Sequence, residues 1–326
     1  MIDIFKRQPK IQIIILITTW VLIGIEMFLF NNSVVTSFNI LPMFNLNIEF
    51  DDSYLIISKF ITWLLIGLQA LLISLYSQAN NLINRNNWLA SFIYLLLISF
   101  QTENLILSPV LIANTFIIFA VQKIFQIYEA QSYLDNLIIA TLLIAIATLI
   151  YFPAIVFMVM IWITLIIFAR IGWRAWVISI IGFLLLFLYL FTWHYLNDEI
   201  LEVIPKYITF FNHDIKFKLI YNNYAILFSI VFGLISILAL IKLYIIAQDK
   251  LIKVRKKYLA LIPFFLISII SFIISNINYS ISLSIIFIPA SFVFSIYLTY
   301  QKNEIISNIF LYILLILLVI GNLKLI

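Results

Sequence analysis

The 326-residue chain contains no cysteine, two histidines and only six glycines. The missing thiols exclude cysteine nucleophiles, thiolate metal sites and disulfide bonds. His194 and His213 are too few for a histidine-built metal centre, although ligation by carboxylates stays open. The scarcity of glycine argues against phosphate-binding loops and against the glycine-interrupted helices of ion-coupled carriers.

Charge is also scarce, because 10% of the residues are charged and 65% are hydrophobic, with a mean hydropathy of +1.18. A soluble domain carries roughly a quarter charged residues, so a soluble enzyme is excluded. Apolar runs such as Leu142–Met160 are continuous, whereas the strands of a porin-type barrel alternate polar and apolar residues. The sequence therefore predicts an all-α, polytopic transmembrane helical bundle that forms one membrane domain over residues 1–326.

A transmembrane helix needs about 20 apolar residues, and the chain divides into eleven such segments. The third is short and has a re-entrant hairpin as its alternative, and the fifth and sixth are separated at Pro153, which breaks helices. The eleven segments are Ile11–Phe30, Phe60–Ala79, Trp88–Phe100, Leu105–Lys123, Asn136–Phe152, Ala154–Ala169, Trp176–His194, Tyr224–Tyr244, Tyr258–Ser275, Ile281–Tyr300 and Ile305–Gly321.

The distribution of basic residues predicts the orientation of these segments. With the N-terminus cytoplasmic and the C-terminus periplasmic, fourteen of the nineteen basic residues, including every arginine, fall on the cytoplasmic side. This asymmetry, and not nucleic-acid binding, accounts for the net charge of +5. Two long loops, Asn31–Lys59 and Tyr195–Asn223, fall on the other side, where we expect any chemistry.

Residues Asn87 to Phe183, together with the opening MIDIFKRQPKIQIIIL, carry a family resemblance. Its most specific parts are the sequence Leu111-Ile112-Ala113-Asn114 and the motif Arg170-x-x-Trp173-Arg174-x-Trp176. On these residues the chain resembles an uncharacterised polytopic inner-membrane family of the Bacteroidota, known as a domain of unknown function. The resemblance implies a bacterial inner membrane and no particular reaction.

Carboxylates at the periplasmic side are the candidate catalytic residues. Glu26 lies within the first span, where an ionisable group is costly and suggests function. Glu49, Asp51 and Asp52 lie in the first long loop, as general bases or as oxygen ligands of a divalent cation. Glu103 lies in the next periplasmic loop. For each of them, the alternative is a solvated or hydrogen-bonded carboxylate without a catalytic role.

A long first outer loop with acidic residues near the first span resembles the GT-C membrane glycosyltransferases. This resemblance implies a transferase whose donor is a polyprenyl-phosphate-linked sugar. Lys59 and Lys206 would then bind the phosphate, since no arginine lies on the periplasmic side. Lysine binds phosphate as a point charge, without the bidentate geometry of arginine.

Other functions and sites stay open from the sequence alone. A non-catalytic subunit of an envelope assembly or secretion complex is the second hypothesis for the function, and a secondary transporter is the third. The basic segments Arg170–Trp176 and Lys250–Lys257 are interpreted as anchors to membrane lipid. His194, His213 and Asp214 are either an acid–base group or solvated surface residues.

Overall fold

The structure is a computed structural model that describes residues 5, 8–29, 38–39, 47–48, 52–100, 107–201, 204–205, 223–275, 282–301 and 303–322. It confirms a helical, multi-pass membrane protein. The described elements are α1 (Pro9–Leu29), β1 (Phe38–Asn39), β2 (Asn47–Ile48), α2 (Asp52–Ala79), α3 (Leu89–Ser99), α4 (Pro109–Glu129), α5 (Tyr133–Ile150), a 3₁₀ turn (Phe152–Val156), α6 (Phe157–Ile167), α7 (Trp173–Leu196), α8 (Asn223–Gln248), α9 (Ile252–Ile274), α10 (Ser284–Tyr300) and α11 (Glu304–Asn322).

Every predicted apolar segment is helical, but the helices differ in length. Seven of the described helices, α1, α2, α4, α5, α7, α8 and α9, are long and apolar enough to cross a membrane. The apolar helices in the third, sixth and tenth segments are shorter, and the break at Pro153 is present as a 3₁₀ turn. The only described strands, β1 and β2, form a two-residue antiparallel pair.

In this glycine-poor chain, residues other than glycine provide the backbone turns and hydrogen bonds that end or begin the helices. Asn81, Ala169 and Asp198 adopt positive φ angles of 54°, 55° and 57° directly after α2, α6 and α7. In each case the next N–H bonds back to the carbonyl five residues earlier, which satisfies a carbonyl at the end of the helix. At the start of α4, the Ser108 side chain accepts a hydrogen bond from Leu111 N, and Pro109 needs no partner for its nitrogen.

The two central helices of the bundle are α3 and α10, which pack against each other. All eleven residues of α3 and most of α10 are buried. Long helices surround this pair, and their outward faces carry exposed large apolar side chains, as expected of surfaces that meet lipid. The short third segment is therefore an interior element of the bundle.

Polar contacts join the ends of neighbouring helices at one end of the bundle. We call this end of the bundle the basic end. The described arginines all lie there, whereas Lys59 lies at the opposite end. The contacts at the basic end join Gln12 with Trp88, Gln78 with Asn87, Asn80 with Gln122, Glu129 with Lys257, Arg170 with Ala130, Lys256 with Phe168 and Lys250 with Tyr300.

The helices α1 and α2 interlock through two tryptophans. The rings of Trp20 and Trp63 stack with centroids 3.9 Å apart, and each indole N–H donates to the other residue's carbonyl at 3.0 Å. This close approach requires glycine opposite each ring. A methyl group on Gly24 would lie 2.7 Å from Trp63 Nε1, and one on Gly67 would lie 2.6 Å from Trp20 Nε1.

Alanine substitutions test this interlock. We expect Gly67→Ala to destabilise the protein by about 1–3 kcal/mol, because the methyl group overpacks a rigid indole ring. The matched control is Gly233→Ala in α8, where nothing lies within 4 Å of the added methyl group. That variant should be unchanged or up to about 1 kcal/mol more stable, from helix propensity alone. Thermal unfolding in detergent measures both variants, and equal effects would contradict the interlock.

Because the chain has no cysteine, single introduced cysteines report the orientation of the helices. Leu201 lies just beyond α7 and is 84% exposed, and the side chain of Lys253 at the basic end is 62% exposed. With the basic end cytoplasmic, an impermeant maleimide should label Leu201→Cys in intact cells. Lys253→Cys should react only after permeabilisation, and the reverse pattern would invert the predicted topology.

Candidate functional site at the end opposite the basic end

Glu26 and Lys59, which the sequence singled out, lie on neighbouring antiparallel helices at the end opposite the basic end. The glycine–tryptophan contacts place residue 24 level with 63 and residue 20 level with 67. Continued along α1 and α2, this register brings Glu26 and Lys59 within about 3 Å of each other along the helix axes. The sequence assigned Lys59 to a loop, whereas in the structure Lys59 belongs to α2, which begins at Asp52. Lys59 is only 6% exposed.

The connection between α3 and α4 begins and ends near the same region. Ser91 N donates to Ser74 Oγ at 3.0 Å, and the antiparallel register of α2 and α3 then ends α3 level with Ile66. Gln69 Nε2 donates to Leu111 O at 2.6 Å, so α4 begins level with Gly67.

Ile66 is ten residues, about 15 Å, inside the apolar span that begins at Ile56. Thus α3 ends and α4 begins at roughly the middle of α2, and both reach the basic end. This geometry favours the re-entrant alternative for the third segment. The chain enters α3 and leaves α4 at the same end of the bundle. The remaining helices therefore keep the alternating directions that eleven spans would give them.

Polar side chains are buried in the interior of the bundle between this end and the basic end. Thr62 and Ser108 are fully buried, and the Tyr94 hydroxyl donates to Gln69 Oε1. The Asn114 amide donates to Ser284 Oγ at 3.0 Å, yet its Oδ1 has no hydrogen-bond partner among the described residues. The Ser58 hydroxyl, beside Lys59 in sequence, is likewise buried without a described partner. Unpaired buried polar groups are rare and costly, so this interior suits a polar ligand better than a purely structural core.

The remaining candidates from the sequence fall where the structure gives no side chains. Glu49, Asp51, Lys206, Glu103, His213 and Asp214 lie outside the described residues. Asp52 begins α2, and only its backbone is described. Among the described residues, no three histidines and carboxylates come together as a metal site. The divalent cation thus stays an expectation that involves the first long loop.

His194 is a second polar group at this end of the bundle. It is 6% exposed at the end of α7, and its Nδ1 lies 2.9 Å from Glu199 Oε2. The turn at Asp198 brings Glu199 back to the helix, because Glu199 N bonds to His194 O at 3.0 Å. The pair is therefore local to one helix end.

The basic end holds a buried ionic network that sequence reasoning missed. The Lys257 side chain is 1% exposed, and its Nζ donates to Glu129 Oε1 at 2.8 Å and to Asn80 Oδ1 at 2.9 Å. Asn80 in turn donates to Gln122 Oε1 at 2.5 Å and to Tyr76 O at 2.8 Å. The network joins the end of α2, the end of α4 and the start of α9.

The sequence placed Lys257 in a basic segment that anchors the protein to membrane lipid, whereas the structure buries it within α9, which begins at Ile252. Lys253 and Lys257 are four residues apart and share a helix face, and both approach Glu129, at 3.7 Å and 2.8 Å. The four-residue spacing of these two lysines was the signal in the sequence for an ionic network. The partners could not be found from it, since Asn80 and Glu129 lie far away along the chain.

Removing one partner of the Lys257 pair should cost more than removing both. We expect Glu129→Ala to destabilise the protein by about 3 kcal/mol, because it leaves a buried ammonium without its carboxylate. Glu129 is 37% exposed, so the expected free-energy cost lies at the lower end of the range for breaking a buried ion pair. The double variant Glu129→Ala with Lys257→Met should recover part of the loss. A double-mutant cycle on unfolding measures the coupling, and strictly additive effects would contradict it.

Comparisons with known proteins identify no relative of the chain: no family model, curated protein or solved structure matches it. The resemblance noted in the sequence therefore stays an expectation. The chemistry of this protein has to be argued from its own residues, of which Glu26, Lys59 and the polar interior beside them form the candidate site.

Proposed function

We propose that this protein is a GT-C-like transferase of the bacterial inner membrane that uses a polyprenyl-phosphate-linked sugar at its periplasmic face. The observation that carries the proposal is the common level of Glu26 and Lys59 on two interlocked helices, about 10–12 Å along the helix axes from where α3 ends and α4 begins. A carboxylate can act as the general base and a buried cation can bind the phosphate of a lipid-linked substrate.

Lys59 supplies the charge that recognises the phosphate in this proposal. Lys59 lies on a helix of the bundle and is only 6% exposed, so its attraction to a phosphate would be less screened by water than that of a surface lysine. Lys206 is the second proposed phosphate contact. The prenyl chain would remain in the lipid beside the apolar outer faces of α1 and α2, which carry exposed residues such as Leu22 and Leu64.

The carboxylates supply the acid–base chemistry. One of Glu26, Glu49, Asp51 and Asp52 removes the proton of the acceptor hydroxyl as its oxygen attacks the anomeric carbon of the sugar. The bond between the sugar and the phosphate breaks, and polyprenyl phosphate leaves with its negative charge against Lys59. The other carboxylates would hold a divalent cation that neutralises the same charge.

Binding of a polyprenyl phosphate tests the role of Lys59. The purified protein should bind a polyprenyl phosphate about tenfold to a hundredfold more tightly than the matched neutral polyprenol, the range expected of charge-assisted hydrogen bonds. Lys59→Gln should lose this difference. Lys123→Gln, a partly exposed lysine toward the basic end, is the matched control and should retain it. Native mass spectrometry of lipid titrations measures the affinities.

Transfer activity separates recognition from chemistry. Glu26→Gln, and Asp51→Asn together with Asp52→Asn, should abolish transfer from a labelled polyprenyl-phosphate sugar while membrane abundance and phosphate binding persist. A protein that binds no polyprenyl phosphate, or acid variants with full activity in a deletion strain, would overturn the proposal. That result would favour the non-catalytic subunit.

A further inference from the structure

Six basic side chains converge on adjoining turns at the basic end, away from the candidate site. Arg170 belongs to the turn between α6 and α7, and Arg174 belongs to the first turn of α7. Lys250 belongs to the turn between α8 and α9, and the first turns of α9 carry the other three cations, Lys253, Arg255 and Lys256. We call this surface the Arg170–Lys256 patch. Lys256 Nζ donates to Phe168 O at 3.2 Å, so the two turns touch and the patch is continuous.

Tyrosine rings and carbonyl groups hold the cations of the patch in place. Arg170 lies over the Tyr133 ring with its Cζ 5.1 Å from the centroid, and it donates to Ala130 O at 3.4 Å. Lys256 lies over Tyr128, with its Nζ 5.0 Å from the ring centroid. Lys250 lies over Tyr300 in the same way, at 3.6 Å. These contacts fix the charges without neutralising them.

Acidic partners are few around the patch. Of its six cations, only Lys253 has a carboxylate within 4 Å among the described residues, and that is Glu129, which it shares with Lys257. Asp135 and Asp249 are exposed nearby on the same turns, and neither is paired with a described basic residue. The patch therefore carries a net positive charge that faces outward.

Large apolar side chains stand exposed among these cations. Ile171 is 64% exposed, Trp173 72%, Leu251 81% and Ile252 68%. Tryptophan and aliphatic residues beside arginine and lysine are typical of the head-group region of a bilayer, where each part of such a surface finds a matching environment. In water the same exposure would be unfavourable.

We infer that the Arg170–Lys256 patch is a binding surface for anionic phospholipid, with the lipid phosphates on Arg170, Arg174, Arg255 and Lys256 and the acyl chains beside Trp173 and Leu251. The lipid bridges three connections of the bundle, α4–α5, α6–α7 and α8–α9. The patch selects its lipid by charge, so a zwitterionic lipid binds more weakly than an anionic lipid of the same chain length.

The test uses the full chain purified in neutral detergent and titrated separately with phosphatidylglycerol, phosphatidylcholine and inorganic phosphate. Native mass spectrometry should show tight binding of phosphatidylglycerol alone. Each surface cation contributes about 1 kcal/mol to such binding, so the variant Arg174→Gln with Arg255→Gln should bind phosphatidylglycerol roughly 25-fold more weakly. Arg174 and Arg255 are exposed and make no described hydrogen bond, so the fold should tolerate their loss.

The matched control removes two other cations toward the basic end, in Lys123→Gln with Lys242→Gln, and should leave phosphatidylglycerol binding unchanged. A second variant, Arg170→Gln with Lys256→Gln, should lose the rise in unfolding temperature that phosphatidylglycerol gives the parent protein. Equal binding of the two phospholipids, binding of free phosphate at the same strength, or equal losses in the control would each overturn the inference.

Discussion

Polar groups within this bundle bond to one another or to the backbone, because the surrounding hydrocarbon offers them no partner. Serine and threonine hydroxyls such as Thr62, Thr148 and Ser291 donate to carbonyls three or four residues earlier in their own helices. Trp20 and Trp63 each donate to the other's carbonyl. Buried polar atoms without such a partner stand out against this background, and Ser58, beside Lys59, and Asn114, nearer the basic end, are examples among the described residues.

The same constraint separates the two ends of the bundle by function. At the basic end, charges are either fixed at the surface, as Arg170 and Lys256 are, or paired internally, as Lys257 is with Glu129. These roles are electrostatic anchoring and cohesion of helices. At the opposite end, Lys59 is a buried cation close in level to Glu26, beside a pair of helices that stops at half depth. In our proposal, the chemistry on a charged lipid therefore takes place at the end of the bundle that holds Glu26 and Lys59.

Local sequence patterns were sufficient for the elements and insufficient for their arrangement. Unbroken apolar runs predicted every helical segment, and Pro153 predicted the break before α6, because both effects act within a few residues. The bounds of α2 and α9 were predicted too short, since their polar first turns are helical. For the site, the sequence singled out Glu26 and Lys59 by charge alone and assigned Lys59 to a loop.

Composition and the spacing of apolar segments by themselves determined that the chain is a helical membrane protein with its positive charge gathered at one end. Only the tertiary structure decided that α3 and α10 form the centre, that Lys257 is buried on Asn80 and Glu129, and that Glu26 and Lys59 share a level. The physical reason is that hydropathy is a property of a single segment. Register and burial depend on which helices approach closely, and here that depends on contacts such as Gly24 against Trp63.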